Sequence, residues 1–345
     1  MNIHKIVLTG GPCAGKTKVL EAITKKLKKN NYYVITLPET ATSLMSNNMF
    51  PKGNINHNFN FQENILQSQL TKEQVAMNYA QSIIDNNLEI LKNKKDIIIL
   101  CDRGIMDNRA YITHQEYNNL LKKNNINELE FLNNYDLVID LISTATAKPE
   151  AYEQNEIRDE SIEEAAQKDQ LTSSAWLLHP NLYVVKPTDT IEEKINLVYT
   201  YIINYINKLK FLNPFNDSHF YIDKDKSDFS ILNENNSRKI KITSYYMNNL
   251  DIKKYILCKN QYNNNTSYTI QKKYNEPIIN IDANTYNTLL NFNLIYNPTS
   301  KEITHFIHNG NHYYIEEYED KMTIYSIKDQ IKDIPKGIVL KKTLI

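Results

Sequence analysis

Up to about residue 208, short apolar runs alternate with longer segments whose apolar positions recur at helical spacing. The runs 4–9, 32–37, 96–101, 136–142 and 182–186 are rich in Ile, Val, Leu or Tyr and predict strands. Segments 16–29, 61–93, 105–123 and 190–209 predict helices; in the first of them Val19, Leu20, Ile23 and Leu27 fall on one face. No proline interrupts the chain between Lys52 and Lys148. Such alternation implies a parallel sheet with helices on both faces. Residues 210–237 break the pattern with Asn213-Pro214, Asp217-Ser218 and a run of Asp and Lys, and predict a linker. Beyond Arg238 come Tyr-rich, β-branched runs at 239–247, 254–259, 266–273, 303–308, 312–318 and 322–327, with one helical stretch near 283–291. Asn309-Gly310 between two of these runs is a type I′ hairpin signal. The expected organisation is an α/β domain over 1–209, a linker over 210–237 and a mainly β domain over 238–345.

Composition fits this division. The chain has 345 residues, 41% hydrophobic and 23% charged, enough for two ordinary cores. Cys13, Cys101 and Cys258 are too few and too scattered for a disulfide framework or a zinc site, which favours a reducing compartment. A strand begins at once, so no leader is expected, and no run approaches the roughly 18 apolar residues of a membrane span. A cytoplasmic protein is expected, with peripheral attachment to a membrane left open. Net charge is zero but uneven: residues 1–237 carry 25 Lys+Arg against 30 Asp+Glu, or −5, and residues 238–345 carry 15 against 10, or +5. The basic C-terminal part suits an anionic partner, or is simply a solvated basic face. No signal specific to nucleic acid is present.

The chemistry concentrates in few places. Gly10-Gly11-Pro12-Cys13-Ala14-Gly15-Lys16-Thr17 fits G-x-x-x-x-G-K-[ST] between a predicted strand and a predicted helix, the context that a phosphate loop requires. Its backbone N–H groups wrap a phosphate, Lys16 reaches the outer phosphates and the Thr17 hydroxyl ligates Mg²⁺. Only seven glycines occur in the chain, and this loop takes three of them. Ile97-Ile98-Ile99-Leu100-Cys101-Asp102 ends four apolar residues and a cysteine in an acid, which places Asp102 at the metal; Arg103 then holds a phosphate or neutralises developing charge, unless the two simply pair. Arginine is scarce, with Arg103, Arg109, Arg158 and Arg238 the only four, a hint that a planar fork is needed where one survives. Glu39 closes the second strand on the same rim, where it takes a proton from an attacking hydroxyl or holds a sugar; capping of the next helix by Thr40 or Thr42 is the plainer reading. Asn93-Lys94-Lys95-Asp96 matches a guanine-reading pattern but precedes its strand, the wrong context. His305, His308 and His312 flank a hairpin turn whose faces alternate, so they are expected to be solvated and not to converge on a metal.

The phosphate loop, Pro38-Glu39-Thr40-Ala41-Thr42, Phe61-Gln62 with Gln69, and Cys101-Asp102-Arg103-Gly104 with Asp107 and Ala110-Tyr111 together resemble one family. It unites the nicotinamide riboside kinase domain of NadR with the insect TRPL translocation-defect protein, an AAA-type, kinase-like P-loop domain. Tyr135 to Ile139, Asn155 with Arg158, Ala175-Trp176 and His179-Pro180 extend the resemblance through most of residues 1–186. The resemblance implies ATP or GTP binding with Mg²⁺. Lys16 and Thr17 would hold phosphates and metal, Asp102 the metal, Glu39 the acceptor or its water, and Arg158 would sit in a lid closing on the phosphates; an exposed helix salt bridge explains Arg158 as cheaply. It also implies a CYTH-like β domain after the P-loop domain and, for the animal member, binding of phosphatidic acid or phosphoinositide. The first β-domain strand reads Arg238-Lys239-Ile240-Lys241-Ile242 and lacks the paired glutamates with which CYTH tunnels hold metal. Lys241, Lys272, Lys273 and Lys301 remain as candidates to line a pocket for an anionic lipid or a phosphorylated small molecule.

Two functions follow from these readings. One is a nucleoside triphosphatase or small-molecule kinase, moving a γ-phosphoryl group by in-line displacement. The other is a nucleotide-dependent switch controlling what the β domain holds.

Overall fold

The computed structural model describes residues 1–49, 59–147, 161–207, 218–248, 254–263, 265–271, 279–291, 298–319, 321–326 and 333–341. They form two compact units, one of Met1–Asn124 with Asn134–Leu209 and one of Asn125–Asn133 with Lys210–Ile345.

In chain order, β1 (Ile3–Thr9), α1 (Lys16–Lys29), β2 (Tyr33–Leu37), α2 (Thr40–Ser46), α3 (Phe59–Asp85) and β3 (Ile97–Asp102) open the chain. A 3-10 turn over Ile105–Tyr111 follows, then α4 (His114–Lys123), α5 (Glu128–Leu132), β4 (Leu137–Leu141), α6 (Thr144–Ala147), α7 (Ile162–Ala175), β5 (Leu182–Val185) and α8 (Ile191–Ile206). The five strands are parallel in the order β2-β3-β1-β4-β5. Ile6, Val7 and Leu8 of β1, Ile97 to Leu100 of β3 and Leu137 to Ile139 of β4 are wholly buried, which is why these strands read as unbroken apolar runs and not as alternating ones. Each such side chain contributes about 1.5–3 kcal/mol on leaving water. Val19, Ile23 and Leu27 bury the apolar stripe of α1. From β1 the chain goes first to the β2–β3 side and then crosses to the β4–β5 side. The order therefore reverses at β1, and a crevice opens beyond its C-terminal end, directly at the glycine loop.

The predicted helix over 105–123 is two elements, because Ile112 and Thr113 are extended and Thr113 starts α4 afresh as a capping box with Glu116. The predicted helix over 61–93 ends at Asp85, and Asn87 takes a positive φ of 46°.

In the second unit β6 (Ser218–Tyr221), β7 (Ser237–Asn248), β8 (Lys254–Tyr262), β9 (Asn265–Gln271), β10 (Ile279–Ile281), α9 (Ala283–Asn291), β11 (Thr299–His308), β12 (Asn311–Tyr318) and β13 (Lys321–Ser326) form an antiparallel sheet of order β10-β9-β8-β7-β11-β12-β13-β6 with one helix. Asn309 and Gly310 take φ of 50° and 67°, as a type I′ turn requires. Ile222, Phe306, Tyr313, Ile315, Ile324 and Ile338 make the core of one face. Residues 218–237, expected as part of a linker, belong to this unit: β6 pairs with β13, and Phe220, Phe229 and Leu232 pack on that core. Interspersed Asp and Lys hid these apolar anchors from pattern reading. The short α5 also belongs here, with Asn127 Nδ2 donating to the Thr266 carbonyl at 2.9 Å and Asn133 Nδ2 to Asn280 Oδ1 at 2.9 Å.

Two further expectations change. Across β7 and β11, Lys301 pairs with Ile242 and Lys241 with Glu302, so Lys241 and Lys301 lie on opposite faces of the sheet. They do not line one pocket, and Lys301 is held by Glu316 at 2.8 Å. Lys272 and Lys273 lie outside the described residues. The three histidines do not converge, since His305 and His312 share a face and His308 lies on the other. His312 is 3% exposed and therefore not solvated, while His305 is half-buried; burial pushes their imidazoles down to about 3 and about 4. No described helix is long and apolar enough to cross a membrane.

Candidate functional site

The glycine loop leaves β1 and enters α1 through Gly15, whose φ of 81° leads straight into Lys16. Lys16 Nζ donates to the carbonyls of Gly10 and Gly11 at 2.7 and 2.8 Å, folded over its own loop. Burial lowers its pKa to about 8, with the Arg103 charge acting in the same direction and Glu39, Asp102 and Asp107 opposing. Cys13 takes a left-handed φ of 60°, a conformation disfavoured for any residue but glycine.

The parallel register sets Leu8 of β1 beside Asp102 of β3, so the acid ends its strand level with the start of the loop. Burial raises the Asp102 carboxyl to about 6, Glu39 adding to the rise and Lys16 and Arg103 opposing it. Oδ1 of Asp102 is buried and accepts no hydrogen bond from any described residue. Arg103 has a positive φ of 69°, a strained backbone that swings its side chain back over the loop. Its Nε donates to Glu39 Oε1 at 2.5 Å and one terminal nitrogen to the Gly10 carbonyl at 3.3 Å. Burial pushes the Glu39 carboxyl up, but the Arg103 charge and hydrogen bonds from Thr42 and Arg103 outweigh it, and the net shift is downward. Neither threonine caps α2; Thr42 Oγ1 instead donates to Glu39 Oε2 at 2.6 Å. Gln69 of α3 supports the corner, donating to the Arg103 carbonyl at 3.1 Å.

Lys16, Glu39, Asp102 and Arg103, four of the residues singled out in sequence, are thus neighbours. Arg158, the fifth, lies outside the described residues. The structure adds residues that pattern reading did not single out for the site. Asp107 joins three elements: its Oδ1 accepts from Thr9 Oγ1 at 2.5 Å and from Trp176 Nε1 at 3.2 Å, and its Oδ2 accepts from the Gly104 amide at 2.8 Å. Gly104 is glycine because a Cβ there would stand 2.4 Å from Cη2 of Trp176. Glu73, buried in α3, accepts from Lys5 Nζ at 3.0 Å and from the Tyr135 hydroxyl at 2.8 Å. Lys72 lines a small, partly open depression beside Leu37, Pro38, Thr40, Gln69 and Asp102. Gly104, Asp107 and Trp176 stood out in sequence only as part of the family resemblance, and Lys72 and Glu73, charged residues at helical spacing, read there as an ordinary helix face.

Fold, loop and acidic rim define a P-loop, kinase-like α/β domain. Residues 5–194, more than half of the chain, match a family model described as an AAA domain, and the chain belongs to that family. A search of curated proteins returns no match. Among solved structures the chain is similar to thymidylate kinase from Ehrlichia chaffeensis, at 15% identity and a TM-score of 0.35, over 60% of this chain and 100% of that one. It is also similar to an inorganic triphosphatase, at 12% identity and a TM-score of 0.25, over 35% of this chain and 84% of that one.

Proposed function

We propose that the first unit binds a nucleoside triphosphate, ATP or GTP, with Mg²⁺, and transfers the γ-phosphoryl group to a small-molecule hydroxyl or to water. The observation that carries this reading is the buried Oδ1 of Asp102, which has no hydrogen-bond partner among the described residues and sits amid Lys16, Glu39 and Arg103. A buried carboxylate oxygen left without a donor is costly, and a divalent cation is the partner its chemistry suits. Asp102 and the Thr17 hydroxyl fit such an ion as hard oxygen donors. When bound, Mg²⁺ supplies charge neutralisation at the outer phosphate oxygens.

The protein's own groups do the rest. Backbone N–H groups of the loop and the N-terminus of α1 take the phosphates, and Lys16 exchanges its carbonyl partners for phosphate oxygen. Arg103, fixed by Glu39, offers positive charge to the transferring group. Glu39 stands on the rim to orient the attacking hydroxyl or water, and its lowered pKa keeps it ionised for that role. Arg158 is proposed to close on the phosphates.

A second reading draws on the β unit, where Arg238, Ser244, Thr269, His312 and Thr323 are buried polar residues on the sheet face opposite its apolar core. On this reading nucleotide state governs an anionic ligand held there, a lipid headgroup or a phosphorylated small molecule.

Purified protein incubated with ATP or GTP and Mg²⁺, with product analysis across nucleoside and lipid acceptors, distinguishes the two. Phosphorylated acceptor or released phosphate supports transfer. Nucleotide binding without any product, together with lipid-vesicle affinity that depends on nucleotide, replaces it with the switch. Unchanged nucleotide affinity in Lys16→Ala overturns both.

A further inference from the structure

The strained phosphate loop has supports that its sequence pattern does not reveal. Cys13 at a φ of 60° holds an unfavourable left-handed backbone conformation, which persists only when the surroundings enforce it. Lys16 cannot be the lasting support, because the chemistry above draws its ammonium away from the Gly10 and Gly11 carbonyls toward phosphate.

The remaining contacts come from the chain after β4. Asp169 of α7, 1% exposed, accepts from the Gly11 amide with Oδ1 at 2.8 Å. The same carboxylate accepts from the Ser143 amide at 3.2 and 3.1 Å and from Thr146 Oγ1 at 2.6 Å. Ser143 Oγ in turn donates to the Pro12 carbonyl. Lys194 of α8, 7% exposed, donates from Nζ to the Ala14 carbonyl at 3.1 Å. Gly11, Pro12 and Ala14 are therefore each fastened by a different residue. Steric contact agrees: a Cβ on Gly11 would lie 2.5 Å from Cβ and Oδ1 of Asp169, so α7, and not phosphate, explains why this position is glycine.

We propose that Asp169 is a positioning residue for nucleotide binding, which through Gly11, and with Ser143 and Lys194 at Pro12 and Ala14, holds the phosphate loop open in its binding shape. The proposal rests on the nucleotide reading of the site. Asp169 does not touch the phosphates; it presets the backbone that does, so its loss lowers affinity by letting the loop relax.

The test measures affinity for Mg·ATP and Mg·GTP by calorimetry on the full chain, with melting temperature recorded in parallel. Asp169→Ala is expected to bind at least about tenfold more weakly, as suits a lost hydrogen bond to a charged group. Asp169→Asn keeps an acceptor for the Gly11 amide and is expected to recover most of the affinity, which a purely structural role would not produce. Lys194→Met keeps the buried stem and is expected to lose about fivefold through the Ala14 carbonyl. It decides the matter if Asp169→Ala does not fold. Wild-type affinity in folded Asp169→Ala, an Asn variant no better than Ala, or full affinity in Lys194→Met overturns the clamp while leaving nucleotide binding intact. No binding by the wild type overturns the nucleotide reading and the clamp together.

Discussion

Arg103 Nε donates to Glu39 Oε1 at 2.5 Å, joining the ends of β3 and β2 across the mouth of the glycine loop. The side chains are 13% and 28% exposed, so the pair is poorly screened, and each member fixes the other's direction. Because Arg103 also carries a strained φ, its geometry depends on that partner. A double-mutant cycle with Glu39→Gln and Arg103→Met is expected to show a coupling of about 1–3 kcal/mol in chemical unfolding. Additive effects of the two substitutions would mean the contact is not formed in solution.

Nucleotide affinity is expected to be confined to a window of pH. Asp102 titrates near 6 because burial favours its neutral form, and Lys16 titrates near 8 because burial favours its neutral form too. Below the first value the carboxyl proposed to hold the metal is protonated, and above the second the amine proposed to hold phosphate loses its charge. Affinity for Mg·ATP should therefore fall on both sides, with limbs close to these values in the free protein. Lys16→Arg should remove the alkaline limb, whatever it does to the plateau, since a guanidinium does not titrate there. A flat profile from pH 5 to 9 would contradict the placement of both groups.

Cys13 offers a direct probe of the loop. It is partly exposed, Cys101 is buried, and Cys258 lies in the other unit. Alkylation by iodoacetamide followed by peptide mass spectrometry is expected to modify Cys13 and to slow at least about tenfold when Mg·ATP or Mg·GTP saturates the loop, while Cys258 is unaffected. Equal rates at Cys13 with and without nucleotide would count against phosphate binding at this loop.

Gly104 and Trp176 report on the rim. Trp176 is the chain's single tryptophan, fully buried, edge-on to Tyr135 at 5.3 Å and hydrogen-bonded to Asp107. A methyl group at residue 104 would drive into its ring, so Gly104→Ala should destabilise by about 1–3 kcal/mol. The emission of Trp176 should shift to longer wavelength as the ring is displaced toward water. An unchanged melting temperature and emission maximum would show that the ring and Gly104 are not in contact.

The parts legible in the sequence are those that short-range physics dictates. Ile97 to Leu100 and Val19, Ile23 and Leu27 announce a buried strand and an amphipathic helix by spacing alone, and Asn309-Gly310 names its own turn. Lys16 and Asp102 stand out in sequence because each sits in a short motif of fixed residue type and local order, and the fold brings them together. Asp169, Ser143 and Lys194 were not, because each meets the loop across more than a hundred residues of chain and looks like an ordinary polar residue beside its sequence neighbours. Phe220, Phe229 and Leu232 were missed for a related reason: charged neighbours masked anchors that only the tertiary fold brings onto one core. The opposed directions of Lys241 and Lys301 needed the strand register, which a one-residue slip would reverse.

Behind the loop, Asp140 of β4 is wholly buried and close to Asp169, itself buried. Burial raises the Asp140 carboxyl well above its ordinary value, and the nearby Asp169 charge raises it further, against a hydrogen bond with Ser173. A carboxyl whose pKa is higher folded than unfolded favours the fold at low pH, and that contribution is lost as pH rises through the folded value. Asp140→Asn removes the ionisation while keeping the side chain's shape. The variant is therefore expected to melt at a higher temperature than the wild type at pH 8, with the gain shrinking as pH falls toward 4. Paired melting curves across that range check the sign. A variant less stable at pH 8 would show that the ionised carboxylate is itself satisfied, and that the two acids behind the phosphate loop are not in conflict.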